Sequence, residues 1–235
     1  MSIPPAPSRR LWQVAGALAL AHVALMLAGF ALTSVARLGA APGSIVGVYR
    51  ASSESAAGIG GAISLLGFLA FFLAVPVFAR LLRGGTEGTR WLSAVLSAAG
   101  VLYVGLTFAL PFAASSAARY EAHRGLPAGT VAALSDLRWF GVDTATVVLG
   151  VFTLAVAAGA WATRLLPRWV AVGGFLAGVA CLVPAVGPPE DVVDDLTLLW
   201  MVWFVLLAVA ALVAGRSSRP ALSRQPAPGR TSPVS

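Results

Sequence analysis

Six long apolar runs dominate the chain: Leu11–Val35, Ile59–Leu82, Trp91–Ala117, Phe140–Leu166, Trp169–Gly187 and Leu196–Gly215. A hydrocarbon core about 30 Å thick takes roughly 20 helical residues to cross, and each run supplies about that or more. Within lipid a backbone must satisfy its own N–H and C=O groups, which makes such runs helices. The sequence therefore predicts an all-α, polytopic membrane protein: a bundle of six transmembrane helices with kinked spans. Its parts read as an N-terminal segment (1–10), a six-span membrane domain (11–215) and a basic tail (216–235). That tail is rich in Ser, Pro and Arg, cannot build a core and is expected to be disordered.

With 58% hydrophobic and only 11% charged residues, the chain leaves no length for a soluble domain of useful size. The net charge of +7 points away from nucleic acid, because the arginines sit at span ends and in the tail, where they serve orientation. The single cysteine, Cys181, rules out an intramolecular disulfide and a cysteine-rich metal site. Arg9 and Arg10 ahead of the first run resemble the start of a signal peptide. The run is longer than an h-region of about 7–15 residues, so a retained span is expected. Lysine is absent while alanine, glycine and arginine abound, a usage associated with GC-rich bacterial genomes.

Six spans put both termini on one side. On that side fall Arg9, Arg10, Arg80, Arg83, Arg90, Arg164, Arg168, Arg216, Arg219, Arg224 and Arg230; opposite them fall Arg37, Arg50, Arg119, Arg124 and Arg138. Eleven arginines against five predict cytoplasmic N- and C-termini in a bacterial inner membrane. Trp12, Trp91, Trp161 and Trp169 are expected near the inner interface, and Trp139, Trp200 and Trp203 near the outer one. The stretch Thr130–Leu137 has helical spacing of apolar residues and reads as an interfacial helix or a solvated loop. Pro76, Pro111 and Pro184 are expected to kink their spans.

Few side chains offer chemistry. His22 sits near the middle of the first run, where ionisable groups are costly and face the bundle interior. One reading makes it a proton relay or ligand contact, since imidazole titrates near neutral pH. The other makes it a neutral ring hydrogen-bonded to a neighbouring helix, which the lack of a second buried acid or base at that depth favours. Asp143, with Arg138 five residues before it, reads either as part of an outward-opening site or as a favourable acid in the first turn of a helix. Arg119, Glu121, His123 and Arg124 read as a solvated loop without metal-ligand spacing. Glu190, Asp191, Asp194 and Asp195 read as a wet acidic loop. Gly174 and Gly178 are small residues suited to close helix packing. Enzyme signatures such as GxSxG, a phosphate-binding glycine loop or paired intramembrane aspartates are missing. No catalytic set, metal or cofactor is expected.

Val48-Tyr49-Arg50 and Ser64-Leu65-Leu66-Gly67-Phe68-Leu69 are followed by Pro76-Val77-Phe78-Ala79-Arg80-Leu81-Leu82-Arg83. A second group is Leu165-Leu166-Pro167-Arg168-Trp169 with Gly174, Ala177 and Gly178 behind it. On these residues the chain resembles the small bacterial membrane proteins grouped as domain of unknown function 4386, over most of residues 36–215. The resemblance implies the six-helix architecture and carries no activity or site to transfer.

The functional expectation is a non-enzymatic integral membrane protein, structural, accessory or stress-linked, whose partners are membrane lipids. The alternative is a small transporter or channel, proton-coupled through His22 and Asp143 lining a path. A third is an enzyme with its site in the outer loops around His123.

Overall fold

The computed structural model describes residues 8–187 and 190–217, and for 190–194 and 217 the backbone only. The described residues are helical, with no strand among them: α1 (Arg9–Ala31), α2 (Pro42–Ala51), α3 (Glu54–Leu82), α4 (Glu87–Thr107), α5 (Ala113–Arg124), α6 (Ala128–Thr163), α7 (Arg168–Ala180) and α8 (Glu190–Ser217). A π-helical turn, Phe108–Phe112, joins α4 to α5, and a 3₁₀ turn, Val183–Val186, follows α7. Six stretches are long and apolar enough to cross a membrane: Arg9–Ala31, Glu54–Leu82, Glu87–Arg124, Ala128–Thr163, Arg168–Val186 and Asp195–Arg216. The chain is an all-α six-helix bundle. The segments 1–7 and 218–235, most of the expected terminal segment and tail, lie outside the described residues.

Hydroxyl caps start three of the spans. Ser8, Ser53 and Thr86 each accept a hydrogen bond from the backbone N–H three residues on, satisfying one orphan donor of the first turn. Gly125, at φ +78°, ends α5 in the left-handed conformation that glycine adopts without strain.

Membrane helices lack a hydrophobic drive toward one another, so close backbone approach through small residues takes over. α1 and α3 are antiparallel and meet this way. A Cβ placed on Gly60 would come within 2.9 Å of the Gly29 carbonyl oxygen, and one on Gly67 within 3.3 Å of the His22 carbonyl oxygen. Gly174 lies against Ala157 and Trp203, and Gly178 against Leu154, so both serve contacts inside the chain, with α6 and α8. The core of the bundle is aromatic at its centre: Phe71, Phe78, Phe152, Trp200 and Phe204 are fully buried.

Several loop expectations are corrected. The stretch Thr130–Leu137 is helical, as its spacing suggested, and forms the start of α6 rather than a loop, and Arg119 to Arg124 form the end of α5. Its apolar spacing has a partner within the chain: Val131 packs with Ala36, Ile45, Tyr49, Ala118 and Ala122 in a second, smaller core. α2 is a short helix inside what reads as the first outer loop. Two cross-links tie this cap together, Arg50 Nε to the Ala122 carbonyl at 2.8 Å and Trp139 Nε1 to the Ala36 carbonyl at 3.0 Å. The acidic run from Glu190 belongs to α8 rather than to a loop. Acids suit a helix start, where they meet the positive end of the dipole.

The tryptophans divide differently from the interface expectation. Trp91, Trp161 and Trp169 are exposed, but Trp12, Trp139, Trp200 and Trp203 are buried. Each of the last three donates an indole hydrogen bond inside the bundle. An indole with an internal acceptor gains nothing from the interface. Among the prolines, Pro76 lies within a helix that continues to Leu82, Pro111 sits in the π turn and Pro184 in the 3₁₀ turn.

Gly60→Leu is expected to lower stability in detergent by about 1–3 kcal/mol, as overpacking does. Gly105→Ala, where an added Cβ meets nothing within 4 Å, is expected to be neutral or slightly stabilising. Chemical unfolding followed by circular dichroism checks both, and equal behaviour of the two variants would refute the tight α1–α3 approach.

Candidate functional site

The half of the bundle remote from the termini is hollow. A cavity of about 580 Å³ lies between the C-terminal half of α1, the N-terminal halves of α3, α6 and α8, and the α4–α5 helix, within the range of ligand pockets. Its position follows from where the helices touch. On the termini side of His22, Ser93 Oγ donates to the Ala79 carbonyl at 2.9 Å, and Gly100 and Gly159 sit close to Val75 and Leu82. Those contacts close α3 against α4 and α6. Farther along, the π turn at Phe108–Phe112 offsets the rest of that long helix, and Pro111 and Phe112 become part of the cavity wall. Such turns are frequent at functional sites.

The floor is built around His22. Its ring is 1% exposed, and Nδ1 lies 2.8 Å from the Gly67 carbonyl oxygen. A carbonyl only accepts, so Nδ1 carries the proton, and in the neutral ring Nε2 is an acceptor. Phe68, Phe71, Trp200 and Phe204 surround the imidazole at centroid distances of 5.0 to 6.1 Å. Trp200 is itself fixed by its indole N–H, which donates to Thr153 Oγ1 at 2.8 Å. The ring is hydrogen-bonded to the neighbouring helix, as one of the two readings has it, and it also lines the cavity.

The walls are mainly apolar, with hydroxyls spaced along them: Thr33, Ser64, Thr107, Ser115, Thr146 and Thr197. Thr33 and Thr107 donate back to carbonyls of their own helix, a pattern that satisfies the hydroxyl proton and leaves oxygen lone pairs toward the space. The mouth carries two arginines, Arg119 on α5 and Arg138 on α6. The Arg138 guanidinium stands 4.4 Å from the Trp139 ring centre, a cation–π distance. Arg119 Nε is buried without a hydrogen-bond partner. Among the described residues, no aspartate or glutamate lines the cavity.

Asp143 is placed otherwise than expected. It lies fifteen residues beyond the start of α6 at Ala128, so it is not in a first helical turn, because α6 extends three to four turns farther out than the apolar run. It is next to the wall residue Val142 but does not line the cavity. His22 and Asp143 therefore do not share one path wall. His123 pairs loosely with Glu54 at 3.8 Å on the outside of the cap, and no group of three metal-ligand side chains occurs among the described residues. Sequence reasoning missed Arg119 and Arg138 as site residues. Both sit outside the apolar runs, Arg119 on α5 and Arg138 on α6, and only the packing of those two helices brings them to one mouth.

His22→Leu is expected to cost about 1 kcal/mol or less, the scale of an intramembrane hydrogen bond, and to leave the bundle folded. Denaturant titration in detergent checks this. Loss of the folded protein would instead make the imidazole a structural tie rather than a wall of the site. Comparison of the chain with protein-family models, with curated proteins and with solved structures finds no match, so the chemistry of the cavity must be argued from its own walls.

Proposed function

We propose that this protein is a non-enzymatic, multi-pass membrane component that holds a small lipophilic guest in the cavity between its helices. The observation that carries the reading is the cavity itself, of about 580 Å³, floored by His22 and its aromatic ring. A bundle serving structure alone has no use for unfilled space, since a void forfeits the packing contacts of its lining. Wall residues on two helices, Ala62 and Leu65 on α3 and Ser116 on α5, are exposed, and this favours a guest that reaches the site from the bilayer. The lack of a nucleophile–base pair or metal set along the wall favours binding over catalysis.

A small transporter remains the second reading, supported by His22 on the cavity floor. The position of Asp143 off the wall removes one of the two groups that reading invoked. The bacterial inner membrane, cytoplasmic termini and membrane lipids as partners belong to the same proposal, as does kinship with domain of unknown function 4386. Tyr49, Ser64 and Phe68, which carry part of that resemblance, fall on the cap and the cavity wall.

Gly61 gives a direct test. It lines the cavity, and a Cβ there meets nothing within 4 Å, so Gly61→Phe should fill the space without displacing a neighbour. Alkyl-chain compounds at 100 times their dissociation constant are expected to raise wild-type stability by about 2.7 kcal/mol and to leave the plugged variant unchanged. Equal shifts in both proteins would remove the cavity as the site. For orientation, a fluorescent protein fused after Ser217 is expected to fluoresce, and an exported phosphatase fused after Leu126 to be active. The reverse pattern would invert the topology.

A further inference from the structure

We infer that the guest is an anionic single-chain amphiphile, its head held at Arg119 and Arg138 and its chain running inward to His22; this rests on the ligand-holding reading above. Among the described residues that line the site the charged side chains are the two arginines, while Glu121, two residues from Arg119, has a buried carboxylate oxygen outside the lining. Two guanidinium groups line the mouth, and among the described residues no carboxylate shares the wall with them. Asp195, at the same end of the bundle, is exposed and lies off the wall. Arg119 Nε is removed from solvent and has no hydrogen-bond partner. A buried donor left unpaired costs free energy, more so when it is charged. An acceptor supplied by a guest would recover that cost, and a carboxylate or phosphate fits the guanidinium fork best.

The remainder of the cavity suits a chain and not a second polar group. Eleven residues of continuous helix separate Arg138 from Leu149 on the same wall, about 16 Å at 1.5 Å per residue. A carbon zigzag built from bonds of about 1.5 Å advances roughly 1.25 Å per atom, so this depth takes about a dozen carbons. At the inner end Phe68, Phe112, Trp200 and Leu149 meet the chain terminus. The imidazole there has its Nδ1 proton committed to Gly67, which leaves it no donor for an anionic head and sets the polarity of binding, head outward. The hydroxyls along the wall are spaced singly and do not form a second headgroup site. Exposed Ala62 and Leu65 on α3 and Ser116 on α5 let a chain slide in from the hydrocarbon while its head stays at the level of the arginines.

The test uses the purified full chain in a neutral detergent, with dodecanoate, dodecanol, dodecyltrimethylammonium and inorganic phosphate as probes. Binding is read by thermal shift and by quenching of tryptophan fluorescence with 12-bromododecanoate, whose bromine would sit beside Trp200. Dodecanoate is expected to bind at least about tenfold more tightly than dodecanol, with little effect of the cationic chain or of phosphate. Arg119→Gln is expected to erase that preference, a loss of about tenfold or more, while an unchanged circular dichroism spectrum shows the variant to be folded. Saturable quenching is expected to disappear in Gly61→Phe. Equal binding of dodecanol and dodecanoate, or an unaltered preference in Arg119→Gln, would overturn the anionic head while leaving the cavity reading intact. Phosphate alone matching dodecanoate would overturn the chain. Absence of saturable binding by every alkyl probe would sink both this inference and the reading on which it rests.

Discussion

The close contact between α1 and α3 sets the geometry of everything else. Gly29 faces Gly60 and the His22 carbonyl faces Gly67, with the side chains of Ser64, Thr33 and Leu25 packed beside these close approaches. At that separation the imidazole of His22 can reach across to the Gly67 carbonyl and exchange a helix-to-lipid position for a helix-to-helix hydrogen bond. A larger residue at either glycine would push the helices apart and strand a polar ring in a region where water cannot compensate it. The pair acts as a fixed rail, with α8 packed on its other side through Gly16, Ala208 and Leu212.

Against that rail the second half of the bundle is hinged rather than parallel. α4 and α6 meet α3 through small and aliphatic residues toward the termini side and through aromatic rings, Phe71 against Tyr103 and Phe152, at the level of His22, and the π turn at Phe108–Phe112 then offsets the rest of the helix. The cap of α2, the end of α5 and the start of α6 holds the outer ends in place through its own small core and through hydrogen bonds from Tyr49, Arg50 and Trp139. Two separate apolar cores, one central and one under the cap, leave a space between them. The cavity is thus a consequence of how the layers are joined and not of loose packing, since its floor is a set of interlocked aromatic rings.

Much of the fold was legible because membrane physics writes it in composition: the span count follows from apolar length alone, and the helix class follows from backbone satisfaction. What was not legible depends on contacts between distant residues. Arg119 was read as loop, and Thr130–Leu137 as an interfacial helix or a loop, because they lie beyond the apolar runs, yet the helices of this chain continue past those runs where a cap gives them a partner. Trp200 and Trp203 were read as interfacial because indole favours that zone; Thr153 and the Val170 carbonyl offered them internal acceptors instead. Asp143 was read as a first-turn acid because the helix start was placed at the hydropathy edge. His22 was the exception, a residue whose depth alone singled it out.

The same reasoning bears on why arginine appears where it does on the non-terminal side. If the termini are cytoplasmic, as proposed above, the charge bias disfavours cations on that side, and contacts within the chain offset it for several of these arginines. Arg50 supplies one by binding the Ala122 carbonyl that caps α5, and Arg124 by resting over the Tyr120 ring. Arg138 rests over the Trp139 ring at 4.4 Å in the same way, and it and Arg119 also line the cavity. For Arg119, stacking near Tyr49 at 6.0 Å leaves a buried Nε with no acceptor, and a guanidinium in that state is less stable than one at the open surface. Under the proposed anionic occupant, a carboxylate or phosphate at the mouth would supply the acceptor that Arg119 Nε lacks among the described residues.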